Sequence, residues 1–83
     1  MTRVEAKNII KDEELKGYNF FEDREDTQKE IVILKIREQW LVYATDERAS
    51  KVTGSEKGFD NESDALENFI KRLRALNELR KLG

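Results

Sequence analysis

The chain has 83 residues, enough for one domain around one modest core. It contains no cysteine and no histidine, which excludes disulfides, thiolate metal sites, cysteine nucleophiles and the commonest general base. Charged residues make up 41% of it, with a net charge of −2, yet the apolar residues fall in patterned blocks, as in a folded protein.

Thr2-Arg3-Val4-Glu5 matches the S/T-x-x-E capping box, and Val4, Ala6, Ile9, Ile10 and Leu15 follow as a loose apolar stripe. This pattern predicts a helix from about Arg3 to Lys16, stopped at Gly17. Glu13 and Glu14 sit near the negative end of its dipole, so the helix depends on tertiary packing. Tyr18-Asn19-Phe20-Phe21 reads as a first strand with Tyr18 and Phe20 on one face. The charged run Glu22-Asp23-Arg24-Glu25-Asp26 reads as a wet hairpin loop or as a contact patch.

Two β-rich runs follow, Ile31–Ile36 and Trp40–Thr45, around Arg37-Glu38-Gln39. A three-residue loop places Ile36 opposite Trp40, Leu34 opposite Val42 and Val32 opposite Ala44, all on one face. The other face then carries Ile31, Ile33, Lys35, Leu41, Tyr43 and Thr45 and is partly wet. A short fourth strand with a bulge is expected near Ser55–Phe59, between glycines. Asp60 or Asn61 caps a long amphipathic helix from about Glu62 to Leu82, marked by Ala65, Leu66, Phe69, Ile70, Leu73, Leu76 and Leu79. The expected fold is one α+β domain over residues 1–83, an antiparallel four-stranded meander with both helices packed on one face.

The chemistry expected of this chain is binding, not catalysis. It has no glycine-rich phosphate loop and no familiar catalytic signature. The run at Glu22–Asp26 does not match a calcium loop, so neither metal nor cofactor is expected. No apolar run approaches the roughly 20 residues of a membrane span, and the first ten residues lack the apolar core of a signal peptide. A cytoplasmic location is expected. Basic residues of the last helix sit beside its core stripe and the pI is about 5.2, so nucleic-acid binding is not expected. Residues 1–47 carry 8 Lys/Arg against 12 Asp/Glu, and residues 48–83 carry 8 against 6. The first part is therefore acidic and suits a basic partner.

Two segments resemble a known family. Glu38-Gln39-Trp40-Leu41-Val42-Tyr43-Ala44-Thr45-Asp46-Glu47-Arg48 is one, and Phe59-Asp60-Asn61-Glu62-Ser63-Asp64-Ala65-Leu66-Glu67-Asn68-Phe69-Ile70 is the other. Together they resemble small immunity proteins of bacterial polymorphic toxin systems, nearest to the group catalogued as immunity protein fifty-nine. Trp40 and Glu62 fall on recurring positions of that resemblance. It implies a cytoplasmic neutraliser that binds the C-terminal domain of a cognate toxin, often a nuclease, and blocks its active site or a nearby exosite. The residues expected to meet such a partner are Glu22, Asp23, Glu25 and Asp26 in the first loop, or Tyr43, Asp46, Glu47 and Arg48 beyond the hairpin. In the meander the two sets do not easily form one compact site. The alternative is a homodimeric regulatory or scaffolding module paired through Leu73, Leu76, Leu79 and Leu82 of the last helix.

Overall fold

A computed structural model describes the backbone of residues 1–82 and the side chains of residues 1–81. The order of elements is α1 (Arg3–Asp12), β1 (Tyr18–Phe20), β2 (Ile31–Ile36), β3 (Gln39–Ala44), β4 (Lys57–Phe59) and α2 (Glu62–Leu82). The α+β class and the element order follow the sequence expectation. The sheet, ordered β1-β2-β3-β4, does not follow it throughout. β2–β3 and β3–β4 are antiparallel, but β1 runs parallel to β2. The sheet is therefore mixed, not a meander. A parallel neighbour requires the chain to cross back over the sheet before pairing. Residues 21–30 make that crossing without a helix, which is feasible because β1 is only three residues long.

The capping box forms as expected: Thr2 Oγ1 accepts from the Glu5 backbone N–H at 3.2 Å, and Glu5 Oε1 accepts from the Thr2 N–H at 3.0 Å. The helix it opens is four residues shorter than the stripe suggested. Glu14 adopts a left-handed φ of 53°. The Leu15 N–H then bonds the Ile10 carbonyl and the Glu14 N–H bonds the Lys11 carbonyl, closing a Schellman motif. Leu15 and Ile10, which that motif brings together, are both buried. An exposed glutamate thus holds the position that usually belongs to glycine. Glu14→Gly is expected to raise stability by about 0.5–1 kcal/mol, through relief of the left-handed strain and loss of a charge at the negative helix end. A urea midpoint that falls in this variant would contradict the assignment.

The hairpin register also differs from the expectation. Ile31 pairs with Ala44, Ile33 with Val42, Lys35 with Trp40 and Ile36 with Gln39, around a two-residue loop, Arg37-Glu38. Arg37 takes a φ of 59° to close it. The shift of one residue exchanges the faces. Ile31, Ile33 and Val42 now join Ala6, Ile10, Leu15, Ala65, Leu66, Phe69, Ile70 and Leu73 in the core beneath the helices. Val32, Leu34, Ile36, Leu41 and Tyr43 take the opposite face. Trp40 remains on the helix side, half-buried against the core. Its indole N–H donates to Glu62 Oε1 at 3.2 Å, and the same oxygen accepts from Arg3 Nε at 2.6 Å. One carboxylate therefore ties the starts of both helices to β3.

β4 is shorter than expected and pairs in plain register, Trp40 with Phe59 and Val42 with Lys57. The predicted irregularity lies just before it. Thr45 bridges Lys51, so residues 52–56 loop out of the ladder. Asn61, not Asp60, caps α2, its Oδ1 accepting the Asp64 N–H at 2.9 Å. Leu76 is partly buried against the core, whereas Leu79 is 67% exposed. The Leu82 side chain, the last of the expected apolar stripe, lies outside the described residues.

Candidate functional site

The face opposite the helices is the candidate binding surface, and the crossover builds it. Asn19 of β1 points there and is buried. Its side-chain amide donates to the Glu22 carbonyl at 3.1 Å and its Oδ1 accepts the Glu22 N–H at 2.8 Å, turning the chain at once. Arg24 then folds beneath the loop. All five of its donors are used: on Glu22 Oε2, the Glu25 carbonyl, the Tyr18 carbonyl and, through both terminal nitrogens, the two oxygens of Glu30 at 3.1 and 3.0 Å. Glu30 is 2% exposed and also accepts the Thr27 N–H at 3.0 Å. Burial alone would raise its pKa, but the Arg24 fork and the Thr27 N–H outweigh this and hold it below the usual carboxylate range. Arg24 is correspondingly held above its ordinary value by Glu30 and Glu22.

Tyr43 is 4% exposed beneath the same loop. Its hydroxyl donates to Asp26 Oδ1 at 2.7 Å. Burial raises its pKa, and the Asp26 carboxylate raises it further. Thr45, expected on a wet face, is buried instead. Its hydroxyl donates to the Thr27 carbonyl at 2.6 Å and accepts the Glu30 N–H at 2.9 Å. Next to it, the Asp46 carbonyl accepts the Lys29 N–H at 3.0 Å. The Asp46 carboxylate is occupied by the Arg48 and Ser50 N–H groups at 2.8 and 3.0 Å.

The two residue sets that the sequence placed apart are thus one neighbourhood. The crossover carries Asp26 onto Tyr43 and Lys29 onto Asp46, a juxtaposition that an antiparallel meander does not provide. Within it the residues divide by task. Glu22, Asp26, Tyr43 and Asp46 are engaged in holding the loops. Asp23, Glu25, Glu47 and Arg48 are exposed and make no side-chain hydrogen bond or ion pair among the described residues. The surface therefore offers three unengaged carboxylates and one guanidinium.

An apolar strip continues from this acidic end toward the hairpin tip. Leu34 and Leu41 are half-buried and Ile36 is 50% exposed. Asp23, Phe21, Arg3, Leu34, Lys35 and Ile36 line one shallow hollow that joins the acidic loop to the strip. An apolar centre with a charged rim is the usual composition of a protein interface. Among the described residues no group of three or more His, Cys, Asp and Glu side chains is placed to hold a metal ion. None of the described helices is long and apolar enough to cross a membrane.

Sequence reading missed the residues that hold this site in place. Asn19, Arg24 and Glu30 bond within the crossover itself, among charges that read as solvated, and Thr45 reaches back to Thr27 and Glu30 across a gap in sequence, so none carries a spacing signal. The exposed carboxylates were found because charge itself is visible in a sequence. Comparison with family models, curated proteins and solved structures gives no match to this chain.

Proposed function

We propose that this protein is a non-catalytic binding module that captures a basic protein partner on the face formed by the crossover and the β3–β4 turn. The reading that fits the resemblance is an immunity protein, which neutralises a cognate toxin domain in the cytoplasm of the cell that makes both. The observation that supports it is the packing of the crossover on Tyr43 and Asp46, which leaves Asp23, Glu25 and Glu47 exposed and unengaged on one face with the apolar strip of Leu34, Ile36 and Leu41. Fixed unpaired charges accelerate encounter with an oppositely charged surface, and the apolar strip then supplies the desolvated contact.

The test is association kinetics with a purified toxin domain encoded beside this gene. Reversal of Asp23, Glu25 and Glu47 to lysine is expected to slow association about tenfold or more at low salt and to flatten its salt dependence. Dissociation and the unfolding midpoint should change little, since none of the three carboxylates holds the fold. If the reversed variant associates at the parental rate, the acidic face is not the capture surface.

A second reading is supported by Leu79, two-thirds exposed on α2. It is a homodimeric scaffolding or regulatory module joined through that helix. Light scattering over a range of concentrations separates the two readings. A chain that stays monomeric removes the second.

A further inference from the structure

The opposite edge of the sheet carries a different feature. Arg72 of α2 is half-buried and donates Nη1 to the Ser55 carbonyl at 2.7 Å. It makes no ion pair among the described residues, unlike Arg3, Arg24 and Arg74, which each have a carboxylate. Burial alone lowers its pKa, and no neighbouring acid offsets this. A guanidinium taken partly out of water without a counter-charge is costly. One turn earlier on the same helix, Asn68 Oδ1 is buried without a hydrogen-bond partner among the described residues.

The neighbouring strand repeats the charge. Lys57 of β4 pairs with Val42, whose side chain lies under α2, so Lys57 projects on the helix side too. Its ammonium stands 5.3 Å from the centre of the Phe59 ring, without a carboxylate partner among the described residues. The closest acid in sequence, Glu56, is engaged by Lys51. β4 is the last strand of the sheet, and among the described residues no strand lies beside its outer edge. Lys57 and Gly58 are exposed, and a Cβ built on Gly58 would meet only Gln39 Oε1, at 3.5 Å. Backbone can therefore approach this edge closely.

We propose that the β4 edge docks an extended acidic segment of a partner protein, which adds a strand to the sheet and sets carboxylates from alternate positions against Lys57 and Arg72. Strand addition supplies main-chain hydrogen bonds, and the period-two spacing puts every second side chain on the helix side, where the two cations stand. Charge complementarity selects this occupant. Two cations on a chain of net charge −2 suit a short acidic segment better than a phosphate backbone, which needs a longer basic track. The edge is separate from the acidic face opposite the helices, and the proposal does not depend on a toxin partner.

The experiment is a titration of the whole, isotope-labelled chain, followed by amide NMR, with a capped peptide of alternating glutamate and valine. A peptide with lysine in place of glutamate is the comparison. The acidic peptide is expected to shift amides of residues 55–59 and of α2 around Arg72, and the lysine peptide to leave them in place. Arg72→Gln and the surface variant Lys57→Gln should each weaken binding about tenfold, as expected for a lost charged hydrogen bond. Because Lys57 is exposed, its variant reads the site even if Arg72→Gln perturbs folding. Equal binding of both peptides, unchanged binding in Lys57→Gln, or shifts confined to another face would overturn the proposal. So would shifts at the edge that grow with protein concentration alone, which would assign it to a second copy. Stronger binding of a short single-stranded oligonucleotide at the same amides would assign it to nucleic acid.

Discussion

Arg24→Met is expected to lower the stability of the chain at neutral pH by about 3 kcal/mol, because it leaves the buried Glu30 carboxylate without its counter-charge. Methionine keeps much of the arginine stem, so the loss is electrostatic in the main. The figure sits at the low end for a broken buried pair, since the Arg24 side chain is itself 32% exposed and water can reach part of the gap. Against a total of about 5–8 kcal/mol for a domain of this size, the loss is large. The crossover should also loosen locally, since Arg24 fixes the Tyr18 and Glu25 carbonyls. Amide exchange across residues 22–30 should rise beyond what the global change explains. A urea midpoint within error of the parent would mean that the Arg24–Glu30 pair does not hold the crossover.

Acidification separates this pair from other causes of instability. In the parent, Glu30 has a folded pKa below its unfolded value, which is near 4.5. Its contribution is therefore fully present above pH 4.5. It is lost as pH falls, because the unfolded chain takes up the proton before the folded one does. In Arg24→Met both the hydrogen bonds and the charge of Arg24 are lost, and burial is opposed by Thr27 alone. The folded pKa rises from its parental position, so the folded variant takes up the proton at a higher pH than the folded parent does. Stability curves of parent and variant should converge as pH drops from about 6 to about 3. A gap that stays constant over this range would show that packing, not charge, sets the difference.

What could be read from the chain depended on whether a local pattern fixed the answer. Thr2 and Glu5 define their cap by spacing alone. The seven apolar residues of α2 define its face, and Glu62–Leu82 were found with the right bounds. The hairpin was found, but its register was not. That choice assumed one wet face, whereas the crossover buries Val32 and Tyr43 on the face opposite the helices. With aliphatic residues at 31, 32, 33, 34 and 36, alternation could not choose between faces. The direction of β1 was equally hidden, since three residues carry no mark of polarity. The deciding contact, Arg24 with Glu30, lies within a run that reads as solvated charge. Glu14 and Arg37 take left-handed conformations without the glycine that would mark them, so the end of α1 was read on to Gly17 and the two-residue turn was not seen. The candidate site shows the same division: its charges were legible, and the contacts of Asp26 with Tyr43 and Lys29 with Asp46 were not.

The register yields the second large effect. Ile33→Ala should cost about 3–4 kcal/mol, as Ile33 is fully buried beneath α2 and its loss leaves a cavity. Ile36→Ala should cost no more than about 1 kcal/mol, because half of Ile36 already meets water. In the register with a three-residue loop, Ile36 packs against Trp40 in the core, and the order of the two effects reverses. Denaturation of the two variants therefore decides the pairing without coordinates. The same substitution then bears on function. Ile36 lies on the strip that runs from the acidic loop, so Ile36→Ala should keep the fold and weaken capture of a basic partner by about 1–2 kcal/mol. That loss should appear in dissociation, whereas reversal of Asp23, Glu25 and Glu47 appears in association. If Ile36→Ala leaves the residence time unchanged, the strip is not part of the contact, and capture rests on the charged loop alone.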